Sequence, residues 1–207
     1  MGWTSVSGAK VLLAISVGCL CGSLAMGQSD RGKMLGVRTA AVRIEVYSDF
    51  QCPGCKAFYD QVLPMLITEY VAHSKAYVVN RDYPLPIPTH AYSREAAIYA
   101  TAAAWIGKYT EVSSALFRNQ AQWSKDGSWW ATIASVLTVE ERKRVQALAR
   151  EPSVLAELEQ EIEAGHAAGV RQTPWIVVIG GPKPSAFPAP NIARYPLLRS
   201  LIDDLAR

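Results

Sequence analysis

The feature that most constrains this chain is a change of hydrophobic period at one point. Val42-Arg43-Ile44-Glu45-Val46-Tyr47 alternates apolar and polar side chains and breaks at Ser48-Asp49, the pattern of a strand with one buried face. From Pro53 onward, Phe58, Val62, Leu66 and Tyr70 recur every four residues, which predicts a helix. Cys52-Pro53-Gly54-Cys55 occupies the junction. Proline suits a helix's first turn, where its missing N–H has no partner to lose. Pro64, inside the helix, predicts a kink.

Downstream, Ala76-Tyr77-Val78-Val79-Asn80 reads as a second strand, ended by the proline-rich Tyr83–Pro88. A long helical block follows over roughly 91–164. Ala96, Ala97, Ala100, Ala103 and Ala104 mark a closely packed helix in it. Thr138 with Glu141 forms a capping box, and Pro152 opens a helix with the stripe Val154, Leu155, Leu158, Ile162 that ends at Gly165 or Gly169. Trp175–Ile179 is an unbroken apolar run between Pro174 and Gly180-Gly181, so it reads as an interior strand. After a proline-rich loop, Leu197, Leu198, Leu201, Ile202 and Leu205 predict a terminal amphipathic helix. Strands alternating with helices indicate an α/β sheet domain over 42–207. The helical block is too long for one crossover and reads as a subdomain inserted into that domain.

The 207 residues can bury one good core, and 50% hydrophobic with 19% charged residues is ordinary for a globular protein. A net charge of +3 with scattered Lys and Arg excludes a nucleic-acid-binding stripe. The N-terminus differs. Lys10 precedes the uncharged apolar run Val11–Met26, which ends in the small residues Ser23, Ala25 and Gly27. Residues 1–27 therefore read as a secretory signal peptide cleaved after Gly27. The run of about 16 residues is short for a bilayer core of roughly 30 Å. An uncleaved anchor remains an alternative, as does a lipoprotein acylated at Cys19. All three readings place the folded part in the periplasm or cell envelope. Residues 28–41 read as a flexible lead-in.

Cys19 and Cys21 lie in the export segment, so the folded part keeps only Cys52 and Cys55. Two cysteines three apart in an oxidising compartment indicate a redox pair rather than a disulfide framework. Disulfide exchange requires a thiolate. The unpaired N–H groups and positive dipole end of a helix start favour that charge. Cys52 is then the attacking thiolate, and Cys55, one turn in, is the resolving thiol. Thr173-Pro174 before the third strand suits a cis peptide, which leaves the preceding backbone free to pair with an extended peptide.

The run Glu45–Tyr59, with Asp82-Tyr83-Pro84-Leu85, His90, Gly107-Lys108-Tyr109, Ala115-Leu116-Phe117 and Gly169-Val170 before Thr173-Pro174, resembles the DsbA-like thioredoxin-fold family of exported bacterial proteins. The resemblance spans roughly residues 42–205 and implies a thioredoxin domain carrying an inserted helical domain. It implies oxidation of unfolded exported proteins, with reoxidation by a quinone-linked membrane partner of the DsbB or VKOR type. Its roles carry over to Cys52 as nucleophile, Cys55 as resolving cysteine and Pro174 as cis-proline. Glu45 stands near the family's buried acid, which assists proton transfer; as an alternative, strand alternation makes it solvent-facing. Gly54 departs from the His of the family's strongest oxidant. An envelope reductase or isomerase, and a non-enzymatic metal or peptide carrier, are the other function classes. No second Cys or His pair stands at metal-ligand spacing, and no cofactor is implied. Asp49 reads as fixing the loop before Cys52, His90 as a loop or capping residue, and His73 and His166 as surface residues. The tryptophans read as core.

Overall fold

The computed structural model describes residues 1, 30–181, 183–188 and 194–207. The export segment 1–27 lies outside the described residues, save Met1. Among the described residues no helix is long and apolar enough to cross a membrane.

One sheet organises the chain. Its strands are β1 Met34–Leu35, β2 Val42–Ser48, β3 Ala76–Asp82, β4 Trp175–Ile179 and β5 Ser185–Pro188, in the order β1-β3-β2-β4-β5. β2 runs parallel to β3, with Ile44 beside Val78, and antiparallel to β4, with Ile44 beside Val178. β1 and β5 pair antiparallel at the edges. β5 falls within the segment expected to be a proline-rich loop.

Helix α1 covers residues 53–71 and crosses from β2 to β3. It is not uniformly α-helical. Turns of π type at Phe58–Val62 and Ile67–Val71 alternate with the α segments Pro53–Ala57 and Leu63–Leu66. The four-residue spacing explains this. In an ideal α-helix each step of four rotates the side chain by about 40°, so three steps would carry Tyr70 off the core face. Wider turns raise the average period and keep Phe58, Val62, Leu66 and Tyr70 buried together. Pro64 sits between the two wide turns.

The expected helical block consists of α2 Ser93–Ala104, α3 Tyr109–Arg118, α4 Gln120–Asp126, α5 Trp129–Ala134, α6 Val139–Leu148 and α7 Pro152–Ala167. The Thr138–Glu141 capping box is present in both directions. Helix α8, Tyr195–Leu205, packs Leu198 and Ile202 against the sheet. A dry cluster of Val42, Ile44, Val46, Phe58, Leu66 and Val178 fills the space between sheet, α1 and α8. A second core of alanines, Trp123 and Leu158 holds the insertion together and reaches Phe50, Cys52 and Cys55.

The expectation of a flexible lead-in over 28–41 is corrected in its described part, from Asp30 on. Asp30 is 3% exposed and Lys33 wholly buried, and Met34–Leu35 forms β1. Lys33 Nζ donates to Asp82 at 2.8 Å, Thr101 at 2.9 Å and Glu161 at 2.6 Å, joining β3, α2 and α7. Burial opposes the lysine's charge, but Asp82 and Glu161 outweigh it and hold its pKa above the usual value. Ion pairing across sequence-distant elements fixes a segment that looks solvated on its own.

Candidate active site

Cys52 is the N-cap of α1, with extended backbone dihedrals of −73° and 119°, and Pro53 takes the first helical position. Its carbonyl accepts from the N–H groups of Cys55 at 3.1 Å and Lys56 at 3.2 Å. Both sulfurs are free thiols, Cys52 9% and Cys55 1% exposed. One environment drives them apart. The hydrogen bond from Cys55 is the largest influence on Cys52, and with Thr173 and the N–H groups of Cys55 and Gly54 it overcomes burial, bringing the Cys52 pKa down to about 5. Burial, reinforced by Cys52, pushes the Cys55 thiol well above its usual value. The result is an ionised sulfur at the helix end and a protonated one behind it.

The Thr173–Pro174 peptide is cis. It brings the Thr173 carbonyl within 3.3 Å of Cys52 Sγ. Gly54 lies against the same proline: a Cβ there would stand 3.2 Å from Pro174 Cδ and 3.6 Å from Cys52 Sγ. Cys52, Cys55, Thr173 and Pro174 thus form one constellation.

Glu45 does not join it. The solvent-facing alternative is corrected, and the carboxylate is engaged by Arg43, Arg81 and Tyr47. Glu45 is 9% exposed and bonds to Arg43 at 2.5 Å, Arg81 at 2.8 Å and the Tyr47 hydroxyl at 3.2 Å. Burial favours its neutral form, yet Arg81 and Arg43 prevail and hold its pKa below the usual carboxylate range. Alternation along β2 gives Val46 the side that faces α1. A cavity of about 90 Å³ beneath Cys55 is lined there by Val46, Ser48, Phe58, Asn80, Tyr109 and Ser113, with no carboxylate in its wall.

Sequence reasoning gave Asp49 the task of fixing the loop before Cys52, but not the partners through which it does so or the part taken by Gln120. The buried Asp49 carboxylate accepts from Gln51 N at 2.6 Å, Ser93 Oγ at 2.5 Å, Leu85 N at 2.7 Å and His90 Nδ1 at 2.8 Å. Gln120 Nε2 in α4 donates to the carbonyls of Phe50 at 2.8 Å and Cys52 at 2.9 Å. The only local signal was a Ser-Asp break beside a glutamine; the partners lie far along the chain. His73 and His166 are exposed. Trp123 is wholly buried, while the half-buried Trp129 and Trp130 meet Tyr99 in tilted contacts at 4.9 Å and 5.3 Å between ring centroids. Among the described residues no group of three or more His, Cys, Asp or Glu is placed to hold a metal ion.

A parallel β2-α1-β3 unit, a cysteine pair capping its helix and a cis-proline opening the next strand define a thioredoxin fold with an inserted helical subdomain. A family model described as thioredoxin matches residues 28–184, and the chain belongs to that family. A Bacillus anthracis protein named "Probable disulfide bond formation protein D" is 24% identical over 145 residues, 65% of this chain and 64% of that protein. The chain therefore matches somewhat less than two thirds of that relative's length. A thioredoxin-like oxidoreductase from Silicibacter pomeroyi superposes with a TM-score of 0.66 at 22% identity, covering 83% of this chain and 90% of that one. Wolbachia pipientis alpha-DsbA1 superposes with a TM-score of 0.65 at 15% identity, covering 84% of this chain and 90% of that one.

Proposed function

We propose that this chain is an exported, DsbA-like thiol–disulfide oxidoreductase that oxidises cysteines of secreted proteins. The carrying observation is the split within the pair: Cys52 capping α1 with its pKa lowered to about 5, beside a buried Cys55 held protonated. A low-pKa thiol is a good leaving group, so a disulfide containing Cys52 is readily transferred to a substrate. In the oxidised protein a substrate thiolate attacks Cys52 Sγ, the Cys52–Cys55 bond breaks and its electron pair goes to Cys55. A second substrate thiolate attacks the mixed disulfide and releases Cys52 as thiolate. Two electrons pass from the substrate dithiol to the cysteine pair; Cys55 takes up one proton, and the other goes to solvent because Cys52 leaves as a thiolate.

Unfolded substrate lies extended along Thr173-Pro174, where backbone pairing supplies affinity without sequence preference. A quinone-linked membrane protein of the DsbB or VKOR type restores the disulfide. The export reading rests on the apolar N-terminal run and its small-residue end, and places the enzyme in the periplasm or cell envelope, released or held by its N-terminus.

Trapping tests the roles. Cys55→Ala accumulates mixed disulfides with exported proteins in cells and Cys52→Ala does not; equal behaviour of the two overturns the assignment. Thiol alkylation of cell extracts reads direction: a pair found oxidised supports the oxidase, and a pair found reduced reverses it.

A further inference from the structure

The most densely bonded carboxylate near the sulfurs belongs to neither cysteine's helix. Asp49 is 1% exposed, and its four donors come from the active-site turn, the loop after β3 and the first residue of α2. Gln51 adds a second attachment: its Oε1 accepts from Tyr92 N at 2.6 Å. Four donors on one buried carboxylate exceed what a loop staple needs. The main-chain N–H of Asp49 shows a use for that rigidity: it donates to Cys55 Sγ at 3.4 Å.

We propose that Asp49 is a positioning residue for the resolving thiol, its clamped carboxylate holding the turn so that its own N–H points at Cys55 Sγ. The proposal rests on the oxidoreductase reading for its purpose and on geometry for its existence. When a substrate thiolate attacks Cys52, Cys55 is expelled with the electron pair in a buried site that opposes charge. A hydrogen bond to the charged sulfur lowers that barrier, and by microscopic reversibility it serves equally when Cys55 attacks a mixed disulfide. His90 and Ser93 act at one further remove, by fixing the carboxylate. The clamp also ties the resolving step to the insertion, since Ser93 opens α2.

Cys55 can be read apart from catalysis. The titratable groups facing it are Cys52 on its own helix, Asp49 with His90 behind it, and Tyr59 and Tyr109 around the cavity beneath. In a Cys52→Ala background, the alkylation rate of Cys55 against pH reports its thiolate directly. Asp49→Asn, which weakens the grip on His90 Nδ1 and Leu85 N, is expected to move that midpoint upward and slow alkylation at fixed pH on the order of tenfold. In the two-cysteine protein it slows single-turnover reduction of the disulfide by glutathione by a similar factor, while the Cys52 titration stays in place.

A merely structural role gives the opposite sign: a loosened turn exposes Cys55 and speeds alkylation. That result, or an unmoved midpoint, overturns the proposal. Should Asp49→Asn not fold, Ser93→Ala and His90→Gln each remove one donor and are expected to shift the midpoint upward by less. If wild-type protein fails to exchange with glutathione, the oxidoreductase reading falls, and the alkylation midpoint still decides the clamp.

Discussion

The two faces of β2 hold opposite kinds of interior. Toward α1, Val42, Ile44 and Val46 join Phe58, Leu66 and Val178 in an apolar cluster. Toward the other side, Arg43 and Glu45 enter a run of ion pairs through Arg81 to Asp30 and Glu161, continued by Lys33 and Asp82 at the strand end. The difference separates two tasks. Charge pairs bind lead-in, sheet and insertion into one body. The sulfurs are left to be tuned by short-range hydrogen bonds and a helix end, with no carboxylate in the wall of the cavity beneath them.

The largest expected effect lies on the α1 face. In the folded, reduced protein Cys52 alkylation follows a thiolate with a midpoint near about 5, against the ordinary 9.0 once the chain is unfolded. The folded value is the lower one. The stabilisation it gives the reduced fold is therefore complete above the unfolded value and lost as pH falls toward about 5. Denaturation of reduced wild type and Cys52→Ser across that range measures it; parallel curves would break the contrast.

Next comes the ionic face. Lys33→Ala leaves Asp82 and Glu161 buried without their shared cation and is expected to cost about 3–5 kcal/mol in denaturant unfolding. The Cys52 alkylation midpoint should stay put; a shift there would show that the faces are coupled. Glu45→Gln weakens the bonds to Arg43 and Arg81 and is expected to cost about 1.5–3 kcal/mol. Because the folded pKa of Glu45 is depressed, that loss is present above the usual carboxylate value and closes as pH falls through the folded one. Its exchange rate with glutathione should equal wild type; a slower rate would return Glu45 to proton transfer.

The smallest effect sharpens the picture of the α1 face. Gly54→His places an imidazole beside Cys52, where its charge favours the thiolate and hence the reduced pair. The potential measured against glutathione should become more oxidising by about 30 mV, a tenfold shift in the equilibrium. The 3.2 Å approach to Pro174 Cδ limits how freely that side chain settles.

Much of this was legible in the residues. The alternating run at 42–47, the apolar run at 175–179 and the proline-led helices at 53 and 152 follow local rules, and each stands where its pattern puts it. The strict spacing of Phe58, Val62, Leu66 and Tyr70 even carried the wide turns of α1, since a period of four is not that of an α-helix. What stayed hidden depends on distant partners. Lys33 meets residues 49 and 128 positions away, and Asp49 meets His90 41 positions on. Ser185–Pro188 carries no alternating hydrophobic pattern, and only its register against β4 makes it a strand. Alternation placed Glu45 away from α1 correctly, but polarity alone suggested solvent where Arg81 waits.

Lys33 is in effect a rivet: one ammonium group driven through the seam where β3, α2 and α7 meet. Pull that rivet and the first described residues, the sheet and the insertion lose a shared fixing at once.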